Sequence, residues 1–294
     1  MGATEGSRPE RYWRSALDRS VAATASGSLI PLHTEQLTGQ LGSPFLLRRL
    51  LSRTPKHLRA AGPKVNPFLP WEVDLQVALL GDSHVLLLNK FPVQAGHLLV
   101  ISARWQPQAG WLEPADWLAV AQVGADTGGL WFFNSCAAAG ASQPHRHLQL
   151  LPRSAGEESC PLAPGLRAQL DGQAEGWSWR YCLSRRPSAA GQPPIPPAQA
   201  AVELHELYLE HARRLGLGDP RVSAQPQHPY NLLFDDQWLM TVRREREHGA
   251  GFSLNALGFA GYLLATDHSD LDWLRDHGPW RLLESVASPA GRHD

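Results

Sequence analysis

Two apolar runs, Gln76 to Leu80 and His84 to Asn89, are separated only by Gly81-Asp82-Ser83. Both have the length and side chains of strands, and a connection this short can only reverse the chain. A parallel crossover would need roughly a dozen residues. An antiparallel hairpin is therefore written into the chain. A third strand is expected at His97 to Ile101, after the turn Val93-Gln94-Ala95-Gly96, and others at Leu130 to Asn134, His147 to Leu151, Tyr230 to Phe234 and Trp238 to Val242. Helices are set between them. Residues 9 to 24 place Trp13, Leu17 and Val21 on one face, Pro114 stands at the first position of a helix over Ala115 to Asp126, and Ala200 to Leu215 is amphipathic. Shorter helices are expected through Phe45, Leu46, Arg49 and Leu50 and over Ala256 to Leu264. Hairpins interleaved with helices favour an α+β fold, an antiparallel sheet flanked by helices, over a doubly wound parallel sheet. The Pro-rich stretch 185–198, RRPSAAGQPPIPPA, reads as a linker dividing an N-terminal region, 1–184, from a C-terminal one, 199–294.

Composition narrows the function classes. The formal net charge is -1 and no Lys/Arg-rich block occurs, so general nucleic-acid binding has little electrostatic support. Three cysteines, Cys136, Cys160 and Cys182, form no CxxC pair, which suits a reducing compartment better than a disulfide framework or a four-cysteine zinc site. Apolar runs such as Val85 to Leu88 are too short to span a bilayer, and the first residues lack the apolar region of a secretory signal. A cytoplasmic protein is expected. Of the 27 basic side chains only Lys56, Lys64 and Lys90 are lysines, which marks them as candidates for places that need a compact ammonium.

The chemistry concentrates at Pro144-His145-Arg146-His147-Leu148-Gln149-Leu150. Alternate residues of a strand share a face, so His145, His147 and Gln149 should form a row on an exposed side, with Arg146, Leu148 and Leu150 turned the other way. Two imidazoles and an amide can hold a phosphate: one imidazole attacks phosphorus, and the amide donates to a phosphoryl oxygen. Imidazole is neutral and nucleophilic at cellular pH. The small-residue loop Asn134 to Gln143 would let backbone N–H groups approach a polyphosphate, with Ser142 and Asn134 adding side-chain donors. The same H-x-H pair is also a metal-ligand arrangement, and equally a pair of ordinary surface histidines.

The segment Gly140-Ala-Ser-Gln-Pro-His-Arg-His-Leu-Gln149 resembles the active-site strand of the histidine-triad-like (HIT-like) superfamily, in its H-x-H-x-Q branch. Asn66-Pro-Phe-Leu-Pro70, His84-Val-Leu-Leu-Leu-Asn-Lys-Phe-Pro92 and Gly96-His-Leu-Leu-Val100 resemble the N-terminal region of ATP adenylyltransferases, the diadenosine-tetraphosphate phosphorylases. Tyr230-Asn-Leu-Leu233, Arg246-Glu-His248 and Asn255-Ala-Leu-Gly-Phe-Ala-Gly261 resemble their C-terminal region. The resemblance implies a HIT-like sheet, with region 1–184 catalytic and region 199–294 completing the nucleotide site. It also implies roles. His147 would be the nucleophile that becomes adenylylated, with His145 and Gln149 beside it and Gln149 on the α-phosphate. Asn134, Gly140, Ala141, Ser142 and Gln143 would line the nucleotide pocket, Lys56, Asn89 and Lys90 would contact substrate, and Asn255, Ala256 and Leu257 would reach in from the C-terminal region. Three departures stand out: Cys136-Ala137 for Gly-Pro, Arg146 for Lys in what should be a tolerated exchange, and Thr266 for a lysine.

The implied reaction is phosphorolysis of diadenosine tetraphosphate to ADP and ATP through an adenylyl-histidine. Mg²⁺ would arrive on the substrate polyphosphate, with no metal ligated by the chain and no tightly bound organic cofactor. The alternatives are a related transferase with a hexose-1-phosphate acceptor and a dinucleotide sensor that does not turn over. Gln149 argues against a hydrolase. The oligomeric state is left open.

Overall fold

The computed structural model describes residues 8–39, 42, 44–52, 66, 68–188 and 195–290. In chain order the elements are α1 (Arg11–Ala25), β1 (Thr34–Gln36), β2 (Leu46–Leu50), β3 (Gln76–Leu80), β4 (His84–Leu88), β5 (Leu98–Ser102), α2 (Pro114–Asp126), β6 (Gly129–Asn134) and β7 (His147–Pro152). There follow α3 (Ala163–Leu170), β8 (Tyr181–Arg185), α4 (Pro197–Arg214), β9 (Tyr230–Phe234), β10 (Trp238–Arg243), β11 (His248–Gly249), β12 (Phe252–Ser253), β13 (Tyr262–Ala265) and α5 (Leu271–Glu284). The expected hairpin forms one edge of an eight-stranded sheet in the order β3-β4-β5-β7-β6-β9-β10-β8. Every neighbouring pair in it is antiparallel. The α+β architecture read from the sequence is the one the chain adopts.

Alternation along the strands divides the core between the two faces of the sheet. Leu86, Leu88, Leu98, Val100, Leu148, Leu150 and Leu232 point to one face, where Trp117 and Val120 of α2, Leu204 and Tyr208 of α4 and Ala16 of α1 cover them. On the other face Phe132, Leu151, Leu233 and Met240 lie under Leu166 of α3, Phe259, Leu263 of β13 and Leu282 of α5. A separate cluster on that face, Val85, Leu87, Leu99 and Ile101, is capped by Phe68 and Trp71. β7 runs between these two covers. No helix among the described residues is long and apolar enough to cross a membrane.

Four expectations are corrected. Phe45 to Leu50 is not helical: Leu46–Leu50 is β2, paired antiparallel with β1 and parallel with β13. Ala256 to Leu264 is not one helix: a 3-10 turn over Ala256–Ala260 ends at Gly261, whose φ of 97° belongs to the left-handed region, and β13 follows. α1 is present, but its buried stripe is Ala16 and Ala23 with Tyr12 packed beside them, while Val21 is 75% exposed. The helix after the Pro-rich stretch begins at Pro197, before the expected Ala200, because proline suits the first turn.

Candidate active site

β7 lies between β5 and β6, with Ile101 opposite His147 and Leu99 opposite Gln149. His147 and Gln149 share a face, and Leu148 and Leu150 point into the helical core, as alternation requires. That face is not open. His145 is 0% and His147 3% exposed. The ring of Phe68 meets both edge-on, at 5.5 and 5.4 Å between centroids, and Trp105 meets His145 at 5.3 Å. The covering residues come from distant loops, so the alternation of β7 gives no hint of them.

Burial and one hydrogen bond define the state of His147. Its Nδ1 lies 2.7 Å from the carbonyl oxygen of His145. A carbonyl can only accept, so Nδ1 carries the proton and the lone pair is on Nε2. Burial pulls the pKa of the ring down to about 4, so it is neutral at physiological pH. His145 also has a lowered pKa, chiefly from burial. Its Nε2 donates to the carbonyl of Ser102 at 2.8 Å, and its Nδ1 lies 3.1 Å from the Asn66 amide.

The sheet is splayed beside His147. β6 and β7 pair from Gly129 with Pro152 to Phe132 with Gln149 and no further. The Gln108 side chain fills the gap: its Oε1 accepts the His147 N–H at 2.8 Å, and its Nε2 donates to the carbonyls of Asn134 and His147 at 2.8 and 3.2 Å. A buried amide thus replaces the missing ladder bonds. Asn134, at the end of β6 beyond its pairing with β7, has its Oδ1 bonded by Asn231 Nδ2 at 2.8 Å and by the Ala256 N–H at 2.9 Å. Its own NH₂ finds no acceptor among the described residues. Asn231 is oriented in turn by Arg244, a buried guanidinium that also donates to the carbonyls of Val286, Arg246 and Leu254.

These contacts dock the C-terminal region against the loop after β6. A Cβ on Gly140 would lie 2.6 Å from Asn255 Cβ and 2.7 Å from the Leu254 carbonyl, and φ there is +84°. Only glycine fits. The N–H groups of Ala139, Gly140 and Ala141 turn inward to the carbonyls of Cys136 and Ala137. The loop is therefore no open nest at Gly140 and Ala141. Ser142 and Gln143 are partly exposed at its end, and the Gln143 Oε1 is buried with no partner among the described residues. Asn255 caps the 3-10 turn by accepting the Leu257 N–H at 2.9 Å, so the backbone donors of Ala256 and Leu257 are both used internally.

On the other side of His147, the Gln149 Oε1 lies 3.1 Å from His97 Nε2. His97 Nδ1 lies 3.3 Å from Asn89 Nδ2. Lys90 Nζ, partly exposed, contacts Glu72 Oε1 at 2.6 Å. Lys56 and Lys64 lie outside the described residues. Among the described residues no cluster of His, Cys, Asp and Glu could hold a metal ion. Arg146 faces away from the site, as expected, yet it is not a free surface cation. It is buried, with NH1 3.1 Å from Asp116 Oδ2 and bonded to Gln106, and Asp116 also meets His84 Nε2 at 2.9 Å. The fold accommodates arginine here, and its guanidinium forks across buried partners that a single ammonium would not all reach.

Sequence reasoning missed His97, Gln108, Asn231 and Arg244 as site residues. His97 and Asn231 could have been found, each being a polar side chain in an apolar run. Gln108 sits in Trp105-Gln-Pro-Gln-Ala-Gly110, which has no periodicity to read.

Residues 3–168 match the model of the Ap4A phosphorylase N-terminal domain, and 177–289 match the ATP adenylyltransferase C-terminal domain. The chain belongs to the Ap4A phosphorylase family. It is an enzyme of the ATP adenylyltransferase class. A relative in Saccharomyces cerevisiae, diadenosine 5',5'''-P1,P4-tetraphosphate phosphorylase 2, is 25% identical over 291 residues, with 88% of each chain covered. The crystal structure of yeast Ap4A phosphorylase Apa2 in complex with Ap4A superposes with a TM-score of 0.72 at 22% identity, covering 95% of this chain and 97% of that one. The same enzyme in complex with AMP gives 0.72 at 21% identity, covering 98% and 99%. At that identity the structures establish the shared fold.

Proposed function

We propose that the chain carries out reversible phosphorolysis of diadenosine tetraphosphate by two displacements at His147. The observation that carries this reading is the bond from His147 Nδ1–H to the His145 carbonyl, which leaves a neutral ring with its lone pair on Nε2. In the first step Nε2 attacks the α-phosphorus, the N–P bond forms, the bond to the bridging oxygen breaks, and ATP leaves. In the second, an oxygen of inorganic phosphate attacks the same phosphorus, the N–P bond breaks, and ADP leaves. Two easier transfers replace one hard one. The carbonyl of His145 stabilises the positive charge that the ring takes on in the adduct.

The amides of Gln149 and Asn134 supply donors for oxygens that gain charge. In this reading Ser142 and Gln143 line the nucleotide pocket. Lys90 is the cation for the polyphosphate, exchanging Glu72 for it. Mg²⁺ would be held by the polyphosphate itself and would neutralise its charge. The three cysteines are free, which supports a cytoplasmic setting.

The test is to incubate the protein with diadenosine tetraphosphate in phosphate-free buffer and locate the adduct by peptide mass spectrometry. The adenylyl group is expected on His147, acid-labile and base-stable as a phosphorus–nitrogen bond should be. His147→Asn should lose it, whereas His145→Asn should form it more slowly. An adduct that survives in His147→Asn would contradict the assignment.

A further inference from the structure

An amide is a useful donor only if its NH₂, not its carbonyl, faces the phosphate, and the two ends of Gln149 are nearly the same shape. The surroundings of Gln149 contain a directed set of hydrogen bonds that decides between them. It begins at a backbone N–H, which cannot be reversed. The Phe91 N–H donates to Asn89 Oδ1 at 3.0 Å. With its oxygen taken, Asn89 presents its NH₂ to His97 Nδ1 at 3.3 Å, where the Val93 N–H also approaches at 3.4 Å. His97 Nδ1 is therefore an acceptor, and the proton of the neutral ring must sit on Nε2. That N–H donates to Gln149 Oε1 at 3.1 Å. The Gln149 carbonyl is pinned away from the pocket and the NH₂ is left without a protein acceptor among the described residues. His97 is 2% exposed, and burial draws its pKa to about 3, so the ring does not blur this sense by binding a second proton.

We infer that Asn89 and His97 are positioning residues, which transmit the direction of the Phe91 backbone N–H to Gln149 and so hold its amide as a donor toward the phosphoryl group transferred at His147. The inference rests on the phosphorolysis reading above and changes the part given to Asn89. Rather than touching substrate, it acts through the ring of His97.

Reversing the first side-chain link tests this with almost no change of shape. In Asn89→Asp one carboxylate oxygen still accepts from Phe91 and the other faces His97 Nδ1. The ring then carries its proton on Nδ1, its Nε2 becomes an acceptor, and Gln149 turns its NH₂ toward His97 and its carbonyl toward the phosphate. Formation of adenylyl-His147 in a single turnover should slow on the order of a hundred-fold, the cost of one oriented transition-state donor. In a Gln149→Ala background the same Asn89→Asp exchange should cost less than about three-fold, because the amide it acts on is gone. An equal cost in both backgrounds would mean that Asn89 meets substrate directly, or that its charge repels substrate, and the inference would fall.

A second readout needs no activity. In ¹⁵N spectra of the imidazoles at neutral pH, His97 should carry its proton on Nε2 in the unsubstituted protein. In Asn89→Asp the proton should sit on Nδ1, or on both nitrogens. An Nδ1–H ring in the unsubstituted protein would overturn the proposal. Thermal melts separate loss of fold from loss of direction. Failure of the unsubstituted protein to form any adduct would count against the phosphorolysis reading, whereas the spectra judge the directed bonds by themselves.

Discussion

At the scale of single residues, burial of polar rings makes the site and also makes it sensitive to acid. The attack proposed for His147 needs the neutral ring, and burial draws its pKa to about 4. The rate of adenylylation in a single turnover should therefore stay level from pH 8 to about 5 and fall only as the pH approaches 4. An inflection near 6.5 would mean that the ring is not desolvated. Stability follows a different window. Unfolded, each imidazole titrates near 6.5, whereas folded His97 and His211 titrate at about 3 and His147 at about 4. Between these limits the unfolded chain binds more protons. The stability held by the neutral rings is thus complete above 6.5 and is lost as pH falls, at about 1.4 kcal/mol per pH unit for each ring. Asp235, raised by burial to about 6, opposes one ring over part of that range. Urea unfolding should show stability declining from pH 7 to 5. The decline should be shallower by about one proton in His211→Gln, which alters a buried ring bonded to Ser184 and Thr241, away from the nucleophile. Equal slopes in the two proteins would contradict this.

At the scale of elements, the strands legible in the sequence are those whose partners are close in the chain. The hairpin of β3 and β4 carries its own turn, and β5 returns beside it. The two misread segments are partners of each other: β2 and β13 pair in parallel, Leu46 with Tyr262 through Arg49 with Ala265. Neither run is long enough to announce a strand alone, and in both the apolar spacing also fits a helical turn. α5 went unread because Gly278 and Pro279 interrupt it, although Asp270 marks its start by accepting the Trp273 N–H. Two substitutions test how elements hold the site. Gly140→Ala puts a Cβ against Leu254 and Asn255 at a left-handed φ, so it should cost at least about 2 kcal/mol and weaken nucleotide binding. Arg146→Lys, just before β7, should cost about 1–3 kcal/mol by leaving Asp116, Gln106 and the Pro107 carbonyl short of donors. Urea unfolding with both variants near the unsubstituted value would remove this account of the packing.

At the scale of the molecule, the eight-stranded sheet is continuous across the Pro-rich stretch: β6, before it, pairs with β9, after it, from Trp131 with Phe234 to Asn134 with Asn231. His147 comes from the earlier part of the chain, while the amide that orients Asn134 and the turn that receives it come from the later part. The row of His147 and Gln149 was readable because alternation is local. The cover provided by Phe68 and Trp105, the splay plugged by Gln108 and the docking through Arg244 join residues far apart in the chain, and nothing local encodes them. What unites the assembly is a claim about chemistry, that an adenylyl group waits on His147 until phosphate arrives. The most direct measurement is the nucleotide released from diadenosine tetraphosphate with and without phosphate. Without it, about one ATP per active site should appear and turnover should then nearly stop; with it, ADP and ATP should form continuously in equal amounts. Steady release of AMP in phosphate-free buffer would show that water is the acceptor and would contradict the account.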